Sequence, residues 1–182
     1  MDCTHHYDSP LGRMTLASDG EALTGLRFDG QKYSVDAPAE ERGAKHLPVF
    51  DQTRRWLDIY FSGKAPDFTP PLAMRTTDFR RQVWEILLTI PFGRTMTYGA
   101  IAEIMARRRG LPRMSAQAVG GAVGHNPVGL IIPCHRVIGA NGNLTGYGGG
   151  IDKKIRLLEL EGADMSGLFI PKNAQGASHA EL

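Results

Sequence analysis

The stretch TYGAIAEIMARRRGLPRMSAQAVGGAVG, residues 97–124, decides how the chain is read. Thr97 is of the residue type that caps a helix, and Ile101, Ile104 and Met105 follow it on one side of that helix. Arg107-Arg108-Arg109-Gly110-Leu111-Pro112-Arg113 then interrupts the helix with a basic turn. Ser115 caps a further helix that runs from Ala116 to about Gly124. Helix, short turn, helix is the layout of a helix-turn-helix unit, and equally of an ordinary helical pair. The closing helix is unusual in being built of Ala116, Ala118, Gly120, Gly121, Ala122 and Gly124. Each interior glycine costs about 1 kcal/mol relative to alanine, so such a helix needs a reason. The usual reason is close approach of another backbone, here either a neighbouring helix or a DNA strand.

Upstream, Thr77 or Asp78 caps a helix whose apolar face is Phe79, Val83, Ile86, Leu87 and Ile90, and Pro91-Phe92-Gly93 stops it. Gly63 to Leu72, with Pro66, Pro70 and Pro71, reads as a linker. Leu47 to Phe61 suits a helix buried through Phe50, Trp56, Leu57 and Tyr60. Before it, Ser9-Pro10-Leu11-Gly12, Asp19-Gly20 and Asp29-Gly30 are turns between short antiparallel strands. Downstream, Val128 to Ile132 reads as an apolar strand. Val137-Ile138 and Leu144 flank the hairpin-turn pair Asn141-Gly142. A glycine-rich loop, Gly146 to Gly150, precedes a last helix from Asp152 to Glu161. The class expected is α+β, with an N-terminal α/β domain over 1–73 carrying the antiparallel sheet. A mostly helical domain over 74–165 carries the helix-turn-helix, and 166–182 is expected as a flexible tail.

The net charge of +2 conceals a division. Residues 1–74 carry 8 Lys/Arg against 11 Asp/Glu, whereas 75–162 carry 12 against 6. A basic half of this kind suits a polyanionic partner, and also an ordinary solvated face. No run of about 20 apolar residues suggests a membrane span. Two cysteines make no disulfide framework, and the start of the chain has no secretory pattern, so a cytoplasmic setting is expected. The loop at 146–150 lacks the Gly-Lys-Ser/Thr ending of a phosphate-binding P-loop.

Cys134 stands in Pro133-Cys134-His135-Arg136-Val137. A lone internal cysteine is commonly a small buried hydrophobe. Here the adjacent His135 and Arg136 would lower the thiol pKa and make it a nucleophile. Neighbours in an extended segment face opposite ways, so His135 reaches Cys134 only through a bend or a bridging water. Glu161, in the last turn of its helix, sits where the helix dipole disfavours a carboxylate. It is either a solvated surface acid or the group that orients His135, as in a triad.

These residues carry a resemblance to a known family. Pro133-Cys134-His135-Arg136-Val137, with Asn126-Pro127 before it and Gly146-Tyr147-Gly148-Gly149 and Leu157-Leu158 to Glu161-Gly162 after it, resembles the O6-alkylguanine-DNA alkyltransferases. The match covers residues 77–162, and Tyr7-Asp8-Ser9-Pro10-Leu11-Gly12 resembles the family's N-terminal domain. The resemblance implies a ribonuclease H-like first domain, a winged-helix-like second domain, and single-turnover transfer of an alkyl group from O6-alkylguanine in double-stranded DNA to Cys134. It implies His135 as base through a water, Glu161 as its orienting group, and Asn126 in the same network. Tyr98 would donate to the flipped base. Tyr147, Gly148 and the backbone near Val137 would form the base pocket, with Arg136 alongside. Ser115, Ala116, Gln117, Ala118 and Gly120 would meet the minor groove. No cofactor is needed and no metal is expected, because Cys3, His5 and His6 are crowded without a second cysteine. A monomer is implied, with cooperative loading on DNA and repair of O4-alkylthymine left open.

One departure stands out: Gln117 occupies the place where many relatives carry an arginine finger. Two other readings compete. A lesion sensor of the alkyltransferase-like class would carry another residue at Cys134, and a helix-turn-helix regulator leaves Cys134 and Glu161 without a role.

Overall fold

The computed structural model describes residues 3–31 and 46–172. Strands β1 (Cys3–Ser9), β2 (Gly12–Ser18) and β3 (Leu23–Phe28) form an antiparallel sheet in sequence order, turning at the expected Pro10-Leu11 and Asp19–Ala22. Met14 and Leu16 on β2, and Leu23, Leu26 and Phe28 on β3, are buried. Leu23 and Leu26 have opposite parity and would face opposite sides of a flat strand. A register shift opposite Ala17/Ser18 lets both point inward. Helix α1 (Pro48–Phe61) covers the sheet with Val49, Phe50, Trp56, Leu57 and Tyr60.

The outer edge of β3 is the seam of the molecule. Leu23 exchanges backbone hydrogen bonds with Pro71 of the linker and Ala73 just after it, and Leu26 with Pro127 and Gly129. An edge strand must be covered or paired, and here both later segments do so. Val128 therefore meets β3 at a bridge. The strand expected from Val128 to Ile132 does not form. Ile132 N–H folds back to the Val128 carbonyl, and Leu130 takes a left-handed φ of 65°. An apolar run of this length suits a buried turn as well as a strand, and its periodicity cannot distinguish them.

Helices α2 (Asp78–Leu88), α3 (Tyr98–Arg108) and α4 (Ala116–Gly124) start at Thr77, Thr97 and Ser115, whose side chains accept from the backbone N–H of Arg80, Ala100 and Gln117. Trp84 Nε1 donates to the Ala122 carbonyl at 2.9 Å and locks α2 onto α4. Between α2 and α3 lies β4 (Met96–Thr97), which pairs in parallel with β5 (Val137–Ile138). The hairpin expected around Asn141-Gly142 is thus corrected. The turn is there, with φ of 59° and 87°, but β5 pairs with β4, and Leu144 N–H bonds to the Phe169 carbonyl. The strand leaving the turn takes its partner from residues downstream. Phe169 N–H returns to the Gly142 carbonyl, so the segment from 166 is docked up to Phe169, not a free tail. A side chain on Gly142 would lie 2.1 Å from the Gly167 carbonyl oxygen. Residues 173–182 of the expected tail lie outside the described residues. Helix α5 (Ile151–Leu160) closes the fold.

A single hydrophobic cluster runs from Met14 and Leu26 in the sheet, through Leu57, to Val83, Ile101, Val123 and Leu157. The two sequence halves therefore share one continuous core. Leu26 lies at their junction with no exposed surface. Leu26→Ala is expected to lower unfolding stability by about 2–5 kcal/mol, read from the urea midpoint of the full chain.

Candidate active site

Cys134 opens a short 3-10 turn, Cys134–Arg136, so the chain bends between Cys134 and His135. In this turn consecutive side chains fan apart. Cys134 is partly exposed on the wall of an open pocket, while His135 and Arg136 are buried behind it. The pocket is lined on one side by Val123, Gly124, Asn126, Tyr147 and Gly148. Its other side comes from the N-terminal half, through Met14, Leu26, Arg27, Phe28 and Gln31. No motif in the sequence pointed to that second wall, because it depends on how β3 docks.

Behind the thiol, Glu161 is buried at the C-cap of α5 and acts as a hydrogen-bond hub. Its Oε1 accepts from His135 Nε2 at 2.6 Å, from Tyr60 Oη at 2.7 Å and from Arg136 Nη2 at 3.0 Å. Its Oε2 accepts from Arg136 Nε at 2.9 Å and from the Gly93 N–H at 3.0 Å. Burial pushes the Glu161 pKa up, but the hydrogen bond and charge of His135 and those of Arg136 reverse this and leave it at about 2. The carboxylate is ionised, so it can only accept, and the proton of the His135 pair sits on Nε2. His135 Nδ1 is buried and has no hydrogen-bond partner among the described residues. Burial lowers the His135 pKa against the opposing pull of Glu161, so the imidazole rests neutral.

Burial also pushes the Cys134 thiol up, while a hydrogen bond with the Asn126 side chain and the charge of Lys154 pull it back. This corrects the expectation of a lowered thiol pKa. Arg136 was expected beside the sulfur and at the DNA surface. Instead it is 8% exposed, its guanidinium bonded to Glu161 and to the Ile90 carbonyl. Asn126 is fixed by its Nδ2, which donates to the Ile132 carbonyl at 2.7 Å, and by its Oδ1, which accepts from Val128 N–H. The sequence does not single out Lys154, and it presents Tyr60 only as a core residue of its helix. Lys154 is fully buried, donating to the Val137 and Thr145 carbonyls, and burial lowers its pKa to about 8. A lysine in an otherwise amphipathic helix gives no sign that it points inward. Val137 is buried, with its carbonyl occupied by Lys154.

Tyr98, the first residue of α3, has its hydroxyl 3.0 Å from where a side chain on Gly146 would begin. Burial, then the nearby Cys134, raises its pKa to about 12, so it stays a donor. Tyr147 is likewise held far above its ordinary value, by burial and then Cys134. Ser115, Ala116, Gln117 and Ala118 lie outside the pocket on the exposed face of α4. The small residues of α4 can now be sorted. A side chain on Gly120 would touch only the Tyr98 ring, at 3.9 Å, and nothing lies within 4 Å of one on Gly121 or Gly124. Among the described residues only the Tyr98 ring comes within 4 Å of these three positions. Of the basic turn, Arg109 is bonded to Asp78 and Gln82 and lies over the Phe79 ring, so it is held on α2.

The family model described as 6-O-methylguanine DNA methyltransferase, DNA binding domain, matches residues 78–163. That described as the ribonuclease-like domain of the same enzymes matches residues 4–74. The chain belongs to this family of methyltransferases. Its fold is that of the family, α+β, with a ribonuclease-like N-terminal part and a DNA-binding C-terminal part. It is 48% identical over 159 residues to the methylated-DNA–protein-cysteine methyltransferase of Mycobacterium tuberculosis (strain ATCC 25618 / H37Rv), covering 86% of this chain and 92% of the relative. The crystal structure of Mycobacterium tuberculosis O6-methylguanine methyltransferase superposes with a TM-score of 0.74 at 45% identity, over 93% of this chain and 96% of that one. The Mycobacterium tuberculosis OGT in complex with DNA gives 0.75 at 46% identity, over 87% and 92%.

The hub has a pH signature. The Glu161 pKa is depressed from 4.5 to about 2 on folding. Its ionised form therefore stabilises the fold fully above the ordinary value, and that stability is lost as pH falls toward the folded value. Glu161→Gln leaves Arg136 buried without its counter-charge and is expected to cost about 3–5 kcal/mol. In urea unfolding the gap between wild type and variant should narrow steadily as pH falls from 4.5 toward 2. A gap independent of pH in that window would refute the account of Glu161.

Proposed function

We propose that the protein repairs DNA by taking a methyl or larger alkyl group from the O6 of guanine onto Cys134, irreversibly and once per molecule. The observation that carries this reading is a thiol on the wall of an open pocket with a buried His135–Glu161 pair directly behind it, in a chain of this family. Alkyl carbon is a soft electrophile, and a thiolate is the soft nucleophile among protein side chains. The thiol rests protonated, so its proton must leave as attack begins. His135 Nδ1, with its lone pair, is the acceptor, reached through a water. The sulfur–carbon bond forms and the carbon–O6 bond breaks, while the Tyr98 hydroxyl donates a hydrogen bond to the departing guanine, which ends with the proton that left the thiol. The thioether has no leaving path, hence one turnover.

A stacked guanine is beyond the reach of Cys134, so the nucleotide is turned out of the duplex into the pocket. Tyr147, Gly148 and Asn126 bound that pocket. The exposed face of α4, from Ser115 to Gly120, meets the minor groove, where side chains of minimal size let the helix approach the strands. Gln117 takes the place left by the flipped base and hydrogen-bonds its orphaned partner without adding charge. Exposed Arg107 and Arg113 hold phosphates, which sets position and not sequence. The partner is double-stranded DNA with alkylated bases, and the protein acts as a monomer in the cytoplasm without a cofactor. Among the described residues no helix is long and apolar enough to cross a membrane.

Incubation with a duplex holding one O6-methylguanine should add a single methyl group to the peptide containing Cys134, seen by mass spectrometry. Cys134→Ala should bind the duplex and transfer nothing. Methyl transfer by that variant, or tight binding by the wild type with no transfer, would overturn the reading, the second outcome in favour of a lesion sensor.

A further inference from the structure

Most of the proton-handling groups of the site come from the C-terminal half of the chain; Tyr60 does not. It lies near the end of α1, fully buried, with its ring stacked on Trp56 at 5.2 Å and met edge-on by Phe61 and Phe92. Its hydroxyl donates to Glu161 Oε1 at 2.7 Å and lies 3.3 Å from His135 Nε2. Burial and then the charge of Glu161 hold the phenol far above its ordinary value, so it remains a donor throughout. Tyr60 and His135 thus compete for one carboxylate oxygen. A hydrogen bond to a charged acceptor withdraws negative charge from it and weakens what it offers the next donor.

We propose that Tyr60 is a positioning residue for alkyl transfer: its hydroxyl, donated to Glu161 Oε1, limits how firmly the carboxylate holds a protonated His135 and so sets the basicity of Nδ1 toward the Cys134 thiol. The inference rests on the alkyl-transfer reading. The N-terminal half then tunes the chemistry as well as walling the pocket. The other charged or titratable groups facing His135 and Glu161 are Arg136, Lys154, Cys134 and Tyr147. Each is left in place when only the Tyr60 hydroxyl is changed.

The test is the pH profile of single-turnover methyl transfer from an O6-methylguanine duplex to the full chain. Tyr60→Phe removes the donor, so Glu161 stabilises the imidazolium more strongly. The midpoint of the acid limb is expected to rise by about half a pH unit or more, with DNA affinity unchanged. Replacing Tyr60 with 3,5-difluorotyrosine keeps the shape and strengthens the donor, so the midpoint should move down. This second replacement decides the matter if the phenylalanine variant folds poorly. Opposite shifts support the proposal, since a packing role would not move the midpoint in two directions. Wild-type transfer with an unshifted midpoint in the fluorinated protein overturns this inference alone. Absence of transfer by the wild type overturns the functional reading and this inference with it.

Discussion

A carboxylate with no contact with water governs the arrangement of this protein. Glu161 is an ionised group in the core, a placement that costs several kcal/mol unless charge and hydrogen bonds compensate it. Compensation comes from four residues at three places in the chain: Tyr60 on α1, the Gly93 amide after α2, and His135 and Arg136 on the 3-10 turn. Bringing these to one point ties the N-terminal sheet and helix to the C-terminal helices. It also fixes the backbone at Gly93, where φ is 77° and a side chain would lie 2.7 Å from the Glu161 carbonyl oxygen. Only glycine meets both conditions without strain.

The same hub explains how a thiol in low-polarity surroundings is useful. The low-polarity surroundings that favour a protonated Cys134 also favour a neutral His135. The resting pair therefore carries no charge that would have to be solvated. Glu161 stores the compensating charge one residue further in, where it stabilises an imidazolium when one forms. A protonated thiol is also a poor target for oxidants, which suits a nucleophile that is used once. Arg136 matters here by facing inward, where its guanidinium, after His135, helps hold the Glu161 carboxyl below its ordinary pKa.

Much of the architecture was legible in the chain. Thr77, Thr97 and Ser115 marked helix starts because a cap is a local device, decided by a side chain and the backbone two or three residues on. The alternation of side chains called for a bend or a bridging water between Cys134 and His135, and a 3-10 turn lies there. Expectations failed where partners are distant in sequence. Val128–Ile132 has strand-like composition, yet docking against Leu26 leaves room for a turn. Arg136 reads in the sequence as a group beside the sulfur and the base pocket because its counter-charge, Glu161, lies 25 residues further on.

By itself the sequence determined the five helices, three of their caps and the main turns, because each is encoded within a few residues, and it pointed to Cys134 with His135 as a candidate nucleophile and base. The tertiary structure alone decided that the thiol rests protonated, that Arg136 and Lys154 point inward, and that Tyr60 and the Arg27 wall belong to the site. Those facts depend on burial and on contacts between residues as far apart as Tyr60 and Glu161. Desolvation and charge pairing act through space, and no local pattern in the chain records them.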